Sequence, residues 1–128
     1  MNQGAEGTVY PAVEFVVDPE RVAAFRKVFG QEEGVPPTFL TAAEFTAFPL
    51  VLGDPNLGLD VSRVLHGSQE YEYRRPLREG ERLRIRPRIA SIRHKGGNGF
   101  MTVVMEVYGE DGELAATAKS VMIERDPA

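Results

Sequence analysis

Apolar residues follow three rhythms along this chain, and each rhythm predicts a different element. From Pro36 to Leu52 they are nearly continuous. Only Glu44 and three threonines add polar side chains to a run containing Phe39, Leu40, Ala43, Phe45, Ala47, Phe48, Val51 and Leu52. These positions go all the way round a helical wheel, so the stretch predicts a helix enclosed on every side. The Pro36-Pro37 pair pre-sets φ at its start. Thr41 with Glu44 spells a capping box, Thr38 is the competing N-cap, and Pro49 should end or kink the helix near Phe48, leaving about three turns.

Upstream, Val22, Phe25 and Phe29, with Ala23 and Val28 beside them, recur at helical spacing opposite Arg21, Arg26 and Lys27. This predicts an amphipathic helix from Pro19 to Phe29. Asp18 caps it, Pro19 suits the first position, Glu20 faces the positive end and Gly30 stops it. Ala12 to Val17 is a β-branched and aromatic run, hence a strand, and the small polar residues 1–9 are expected to be loose.

Beyond the Gly53-Asp54-Pro55-Asn56-Leu57-Gly58 loop the rhythm changes to two. Gln69, Tyr71 and Tyr73 alternate with charged residues up to Pro76, and Leu83, Ile85, Pro87 and Ile89 alternate with arginines. Ile92 falls on the opposite parity, which predicts a bulge near Ala90 or Ser91, and Pro87 suggests an edge or bulged position. Two further strands, Phe100 to Tyr108 and Leu114 to Ile123, flank an Asp111-Gly112 hairpin. The order is α+β: a curved antiparallel sheet wrapped around a central apolar helix, which is the hotdog fold.

Length and composition narrow the classes. The 128 residues are read as one domain, 1–128, with an ordered core of about 10–125. The net charge of −4, with both signs interspersed, offers no basic face for nucleic acid. No apolar run is long enough for a membrane span, and the first residues lack the charge and hydrophobicity of a secretory leader. With no cysteine, the chain fits a reducing compartment, and a cytoplasmic location is expected.

Few residues carry candidate chemistry. His66, beside Gly67 at the head of a strand, places an imidazole near substrate or a partner, or else fixes the loop-to-strand junction by hydrogen bonding. Glu44 is a carboxylate on an apolar helix; it either caps that helix through Thr41, meets an arginine, or is a catalytic acidic residue. Gln69, Tyr71 and Tyr73 offer polar tips to a ligand on an otherwise aromatic core face. His94 reads as a solvated turn residue, and the arginines of 82–88 as an outer face. No metal ligand set and no cofactor motif is present in the sequence.

Val64-Leu65-His66-Gly67-Ser68-Gln69 with Arg75-Pro76-Leu77-Arg78-Glu79-Gly80 resembles the signature of the MaoC-like dehydratase N-terminal domain family, which includes accessory subunits of mycobacterial (3R)-hydroxyacyl-ACP dehydratases. Glu14 to Val17, Val35 to Phe39 and Asp111 to Leu114 agree with it. The resemblance implies a hotdog domain that works in pairs and handles an acyl thioester, on CoA or acyl carrier protein, in a tunnel beside the central helix. On that basis His66, Gly67, Gln69 and Tyr71 are the substrate-binding candidates. Catalytic members carry Asp-x-Asn-Pro-x-His after the first helix; here Gly30 to Val35 holds neither the Asp nor the His and looks shortened. The expectation is a non-catalytic, acyl-chain-binding partner of a catalytic MaoC-type subunit. The alternatives are a stand-alone thioesterase or hydratase using Glu44 or His66, and a non-catalytic acyl-binding homodimer.

Overall fold

The computed structural model describes residues 1–30 and 33–127. Gln31 and Glu32, two members of the connector that lacks the acid–base motif, therefore lie outside the described residues. Strand β1 (Val13–Val16) leads into helix α1 (Pro19–Phe29), and helix α2 (Leu40–Leu52) follows. Then come β2 (Val64–Tyr73), β3 (Arg82–Lys95), β4 (Asn98–Tyr108) and β5 (Leu114–Glu124). The strands form one antiparallel sheet in the order β1-β3-β4-β5-β2, with β2 at an edge.

Local chemistry fixes the element ends. The Asp18 side chain accepts from the Glu20 N–H, and Gly30 closes α1 in the left-handed region at φ 68°, a conformation that costs glycine no Cβ clash. Gly96 and Gly97 both take positive φ and supply the tight β3–β4 turn. The register shifts between Ile89 and Ser91, where the parity of Ile92 predicts a bulge, and again between His66 and Ser68. Both irregularities bend their strands.

Helix α2 lies on the inner face. Leu40, Ala43, Glu44, Ala47, Phe48 and Val51 are buried, and the core continues through Leu83, Ile85, Ile89, Met101, Met105 and Ala118. Enclosure is one-sided, however: Phe45 is 64% exposed and Leu50 38%. An apolar wheel records what a helix tolerates, and here one apolar side faces outward. The helix starts with a 3-10 turn at Pro37–Phe39 and has no side-chain cap, so the Thr41–Glu44 capping box is absent. It also runs through Pro49 to Leu52, past its expected end. On α1, Val22 is buried while Val28 and Phe29 are exposed.

Residues 1–9 are docked instead of loose. The Asn2 N–H donates to the Leu57 carbonyl, the Gly7 N–H to Ile89 and the Ile89 N–H to Thr8, and Ala5 is buried. These are mostly backbone bonds, which composition does not reveal. His94 is part of the same anchorage: it lies in β3, with Nδ1 3.1 Å from Gln3 Oε1 and Nε2 3.1 Å from the Met1 carbonyl oxygen, and it is no free turn residue. Pro87 sits within β3 opposite Met105, at neither a bulge nor the sheet edge. Its carbonyl accepts from the Tyr10 N–H beside the isolated Val9–Arg88 bridge, so the missing N–H falls in the gap between that bridge and the β1–β3 ladder, which ends at Ile85.

Candidate functional site

The polar residues that the sequence places on inward faces meet at one point, between α2 and the β2–β5 pair. Strand alternation turns Gln69, Tyr71 and Tyr73 inward from β2, and Ser120 inward from β5 opposite Gln69. Glu44, 1% exposed, comes down from α2 onto them. The Tyr71 hydroxyl donates to Glu44 Oε1 at 2.6 Å and Gln69 Nε2 donates to Oε2 at 3.0 Å. Ser120 Oγ lies 3.3 Å from Oε2 and donates to Gln69 Oε1 at 2.6 Å, while Thr41 Oγ1 bonds the Tyr71 oxygen. Tyr73 donates to the Pro37 carbonyl at the helix entrance.

Burial pushes the Glu44 carboxyl above the usual carboxylate range. The hydrogen bonds from Tyr71, Gln69 and Ser120, and the nearby His66 imidazole, pull the other way without cancelling it. Burial likewise raises the Tyr71 hydroxyl, reinforced by its bond to Glu44. The resulting chemistry is a carboxyl held closer to neutral pH than a free one, with its oxygens engaged by protein donors. Neither sequence alternative for its partner is realised, since among the described residues Glu44 meets no arginine and it does not cap α2 through Thr41.

His66 stands apart. It is exposed on β2 opposite Met122, and its ring meets Phe48 edge-on at 6.5 Å. Among the described residues its imidazole makes no hydrogen bond, so the junction-fixing role is not seen. Gly67 forms the bulge beside it, where an added Cβ would come within 2.9 Å of Ile123 Cδ1. Sequence reasoning names Glu44, Gln69 and Tyr71 but misses Ser120 and the bond between Thr41 and Tyr71. The available signal was Ser120's place on the inward parity shared with Ala116, Ala118 and Met122.

Beside the network runs an apolar groove of about 370 Å³ lined by Arg21, Phe25, Phe39, Thr41, Ala42 and Phe45. Thr41 links the two, with its hydroxyl on Tyr71 and its side chain in the groove wall. Among the described residues no group of three or more His, Cys, Asp or Glu is arranged to hold a metal, and no helix is long and apolar enough to cross a membrane.

This geometry can be set beside known proteins. The family described as FAS1-like, dehydratase domain region matches residues 21–118. The chain belongs to this family. The UPF0336 protein of Streptomyces avermitilis is 35% identical over 143 residues, covering 98% of this chain and 95% of that protein. The UPF0336 protein of Saccharopolyspora erythraea is 42% identical over 93 residues, so that the match spans 60% of its length and 73% of this chain. The alignment to the UPF0336 protein of Parafrankia runs over 146 positions against the 128 residues here, so that relative has positions without a counterpart in this chain.

Several solved structures superpose well on this chain. A chain of the HadBC (3R-hydroxyacyl-ACP dehydratase) complex from Mycobacterium tuberculosis gives a TM-score of 0.74 at 20% identity, covering 93% of this chain and 96% of that one. HtdX from the same organism gives 0.81 at 20% identity over 94% of this chain and 52% of its own. The (R)-hydratase from A. caviae gives 0.68 at 15% identity, over 91% and 94%. At these identities the likeness establishes the fold, and the fold is the hotdog.

Proposed function

We propose that this chain is the acyl-chain-binding, non-catalytic subunit of an (R)-specific enoyl/hydroxyacyl thioester dehydratase (hydratase), completed by a second hotdog subunit that carries the acid–base pair. General acid–base catalysis needs two groups within hydrogen-bond reach of one substrate. The observation that carries the reading is the state of Glu44: a sealed carboxyl whose oxygens are engaged by Tyr71, Gln69 and Ser120. No hydrogen bond links it to His66, the other titratable candidate. The Gly30–Val35 connector holds no Asp and no His. The HadBC likeness supports the pairing, because that dehydratase is a complex.

The acyl thioester, on CoA or acyl carrier protein, is assigned to the apolar groove between α1 and α2, with Gln69 and Tyr71 behind its wall. Co-expression with a MaoC-type subunit bearing Asp-x-Asn-Pro-x-His tests the pairing. A complex of the two chains that survives size-exclusion chromatography is the expected result, and persistent separation of the chains counts against it. A stand-alone thioesterase using Glu44 is the second reading, favoured by the raised carboxyl; it requires acyl-CoA hydrolysis by the lone chain that is lost in Glu44→Gln.

A further inference from the structure

The outer face of the sheet, turned away from α2, carries a charge pattern that contacts within the chain leave largely unused. Strand alternation and ladder register arrange its side chains in rows. One row runs Arg86, Glu106, Thr117, Glu72 across β3, β4, β5 and β2, and the next runs Arg88, Val104, Lys119, Glu70. Beyond the bulges a third row reads Arg93, Phe100, Ile123, Leu65. The face is therefore basic along β3 and acidic along β2, with Glu106, Val104 and Phe100 of β4 and Thr117, Lys119 and Ile123 of β5 between. Arg86 stacks over the Tyr108 ring at 5.0 Å and so keeps its charge outward. Among the described residues Arg86, Arg88, Glu70 and Glu72 make no ion pair. Leu65 is 49% exposed.

We propose that this face is a self-complementary interface for a second copy of the chain. Two sheets stacked face to face by a two-fold axis in the plane between them have two simple arrangements. An axis across the strands lays β3 over β3 and sets the arginines against one another. An axis parallel to the strands, between β4 and β5, lays β3 over β2 and β4 over β5 of the second copy while keeping each row at its own height. Arg86 then faces Glu72 of the second copy, Arg88 faces its Glu70 and Phe100 faces its Ile123, and symmetry makes each contact twice. Stacked sheets sit about 10 Å apart, a gap that arginine and glutamate side chains span from opposite sides. The charges thus select one arrangement and oppose the other. This contact leaves the free edge of β2 and the α2 face open, so it stands whether or not a catalytic subunit binds there.

Charge exchange on the full chain tests the proposal by sedimentation velocity, with circular dichroism to confirm folding. The variants are Arg86→Glu with Arg88→Glu, Glu70→Arg with Glu72→Arg, and all four together. Wild type should show a species of twice the mass left by either double variant, weakened by salt. The fourfold exchange should restore it, and Glu70→Gln with Glu72→Gln should weaken it without reversing charge. Equal masses for wild type and both double variants overturn the proposal, as does a fourfold exchange that stays dissociated. Loss confined to the arginine variant also overturns it.

Discussion

The Tyr71 hydroxyl donates to Glu44 Oε1 at 2.6 Å, and that bond ties the edge strand β2 to the central helix. An edge strand has one ladder neighbour, and β2 also contains a bulge, so its register rests on β5 and on this inward polar contact. Tyr71→Phe keeps the ring and removes the donor. It leaves a buried carboxyl oxygen short of a partner, at a cost of about 1–3 kcal/mol. Urea unfolding should show that loss, and an unchanged midpoint would remove the network from the account of β2.

Glu44 makes stability depend on pH in a definite direction. Its folded pKa lies above that of the unfolded chain, so its contribution is fully present below the unfolded value and is lost as pH rises through the folded one. Glu44→Gln abolishes that titration. The melting temperature of the variant relative to wild type should therefore climb as pH rises from the ordinary carboxylate range through the raised folded-state value. A difference that stays constant across the range contradicts a raised carboxyl.

Arg75 and Glu81 give the opposite sign. Burial alone would raise the Glu81 carboxyl, but the Arg75 guanidinium and the Arg78 N–H hold it below the usual range. A depressed carboxyl stabilises the fold above its unfolded pKa and loses that contribution as pH falls through the folded one. Glu81→Gln should thus destabilise at pH 7 and converge on wild type as pH falls through the depressed folded-state value. Parallel stability curves would show that the pair is not coupled to folding.

Phe39 and Phe45 belong to one apolar stretch and differ in surroundings. Phe39 is 1% exposed and packs edge-on against Phe25 at 5.4 Å, whereas Phe45 faces outward. Phe39→Asp buries an unpaired charge and should prevent folding; Phe45→Asp should stay within about 0.5 kcal/mol of wild type. Circular dichroism melts of the two variants check this, and equal damage from both would restore full enclosure of α2.

How much of this was legible varies with the physics of each signal. Helix α1 matches its expected ends because Asp18, Pro19 and Gly30 act on their own backbone. The β3 bulge follows from the parity of Ile89 and Ile92. The docking of residues 1–9 was hidden because backbone groups without sequence identity make most of it. The exposure of Phe45 is not legible, because apolarity does not say which side of a helix meets solvent. At the site, Glu44, Gln69 and Tyr71 stood out one by one, and their convergence did not. That depends on Ser120, 76 residues from Glu44, and on the register that sets β5 beside β2.

The division of labour between two subunits is tested most directly by following loss of the enoyl absorbance with crotonyl-CoA and longer 2-enoyl-CoAs. Loss of one proton-transfer group typically costs about a hundredfold to ten-thousandfold in rate, and both are missing from the connector. The lone chain should show no hydration above background, and addition of a MaoC-type subunit carrying Asp and His should bring activity, most clearly on the longer chains. Robust turnover by the lone chain that disappears in His66→Ala would contradict the account and make this protein an enzyme with a relocated base.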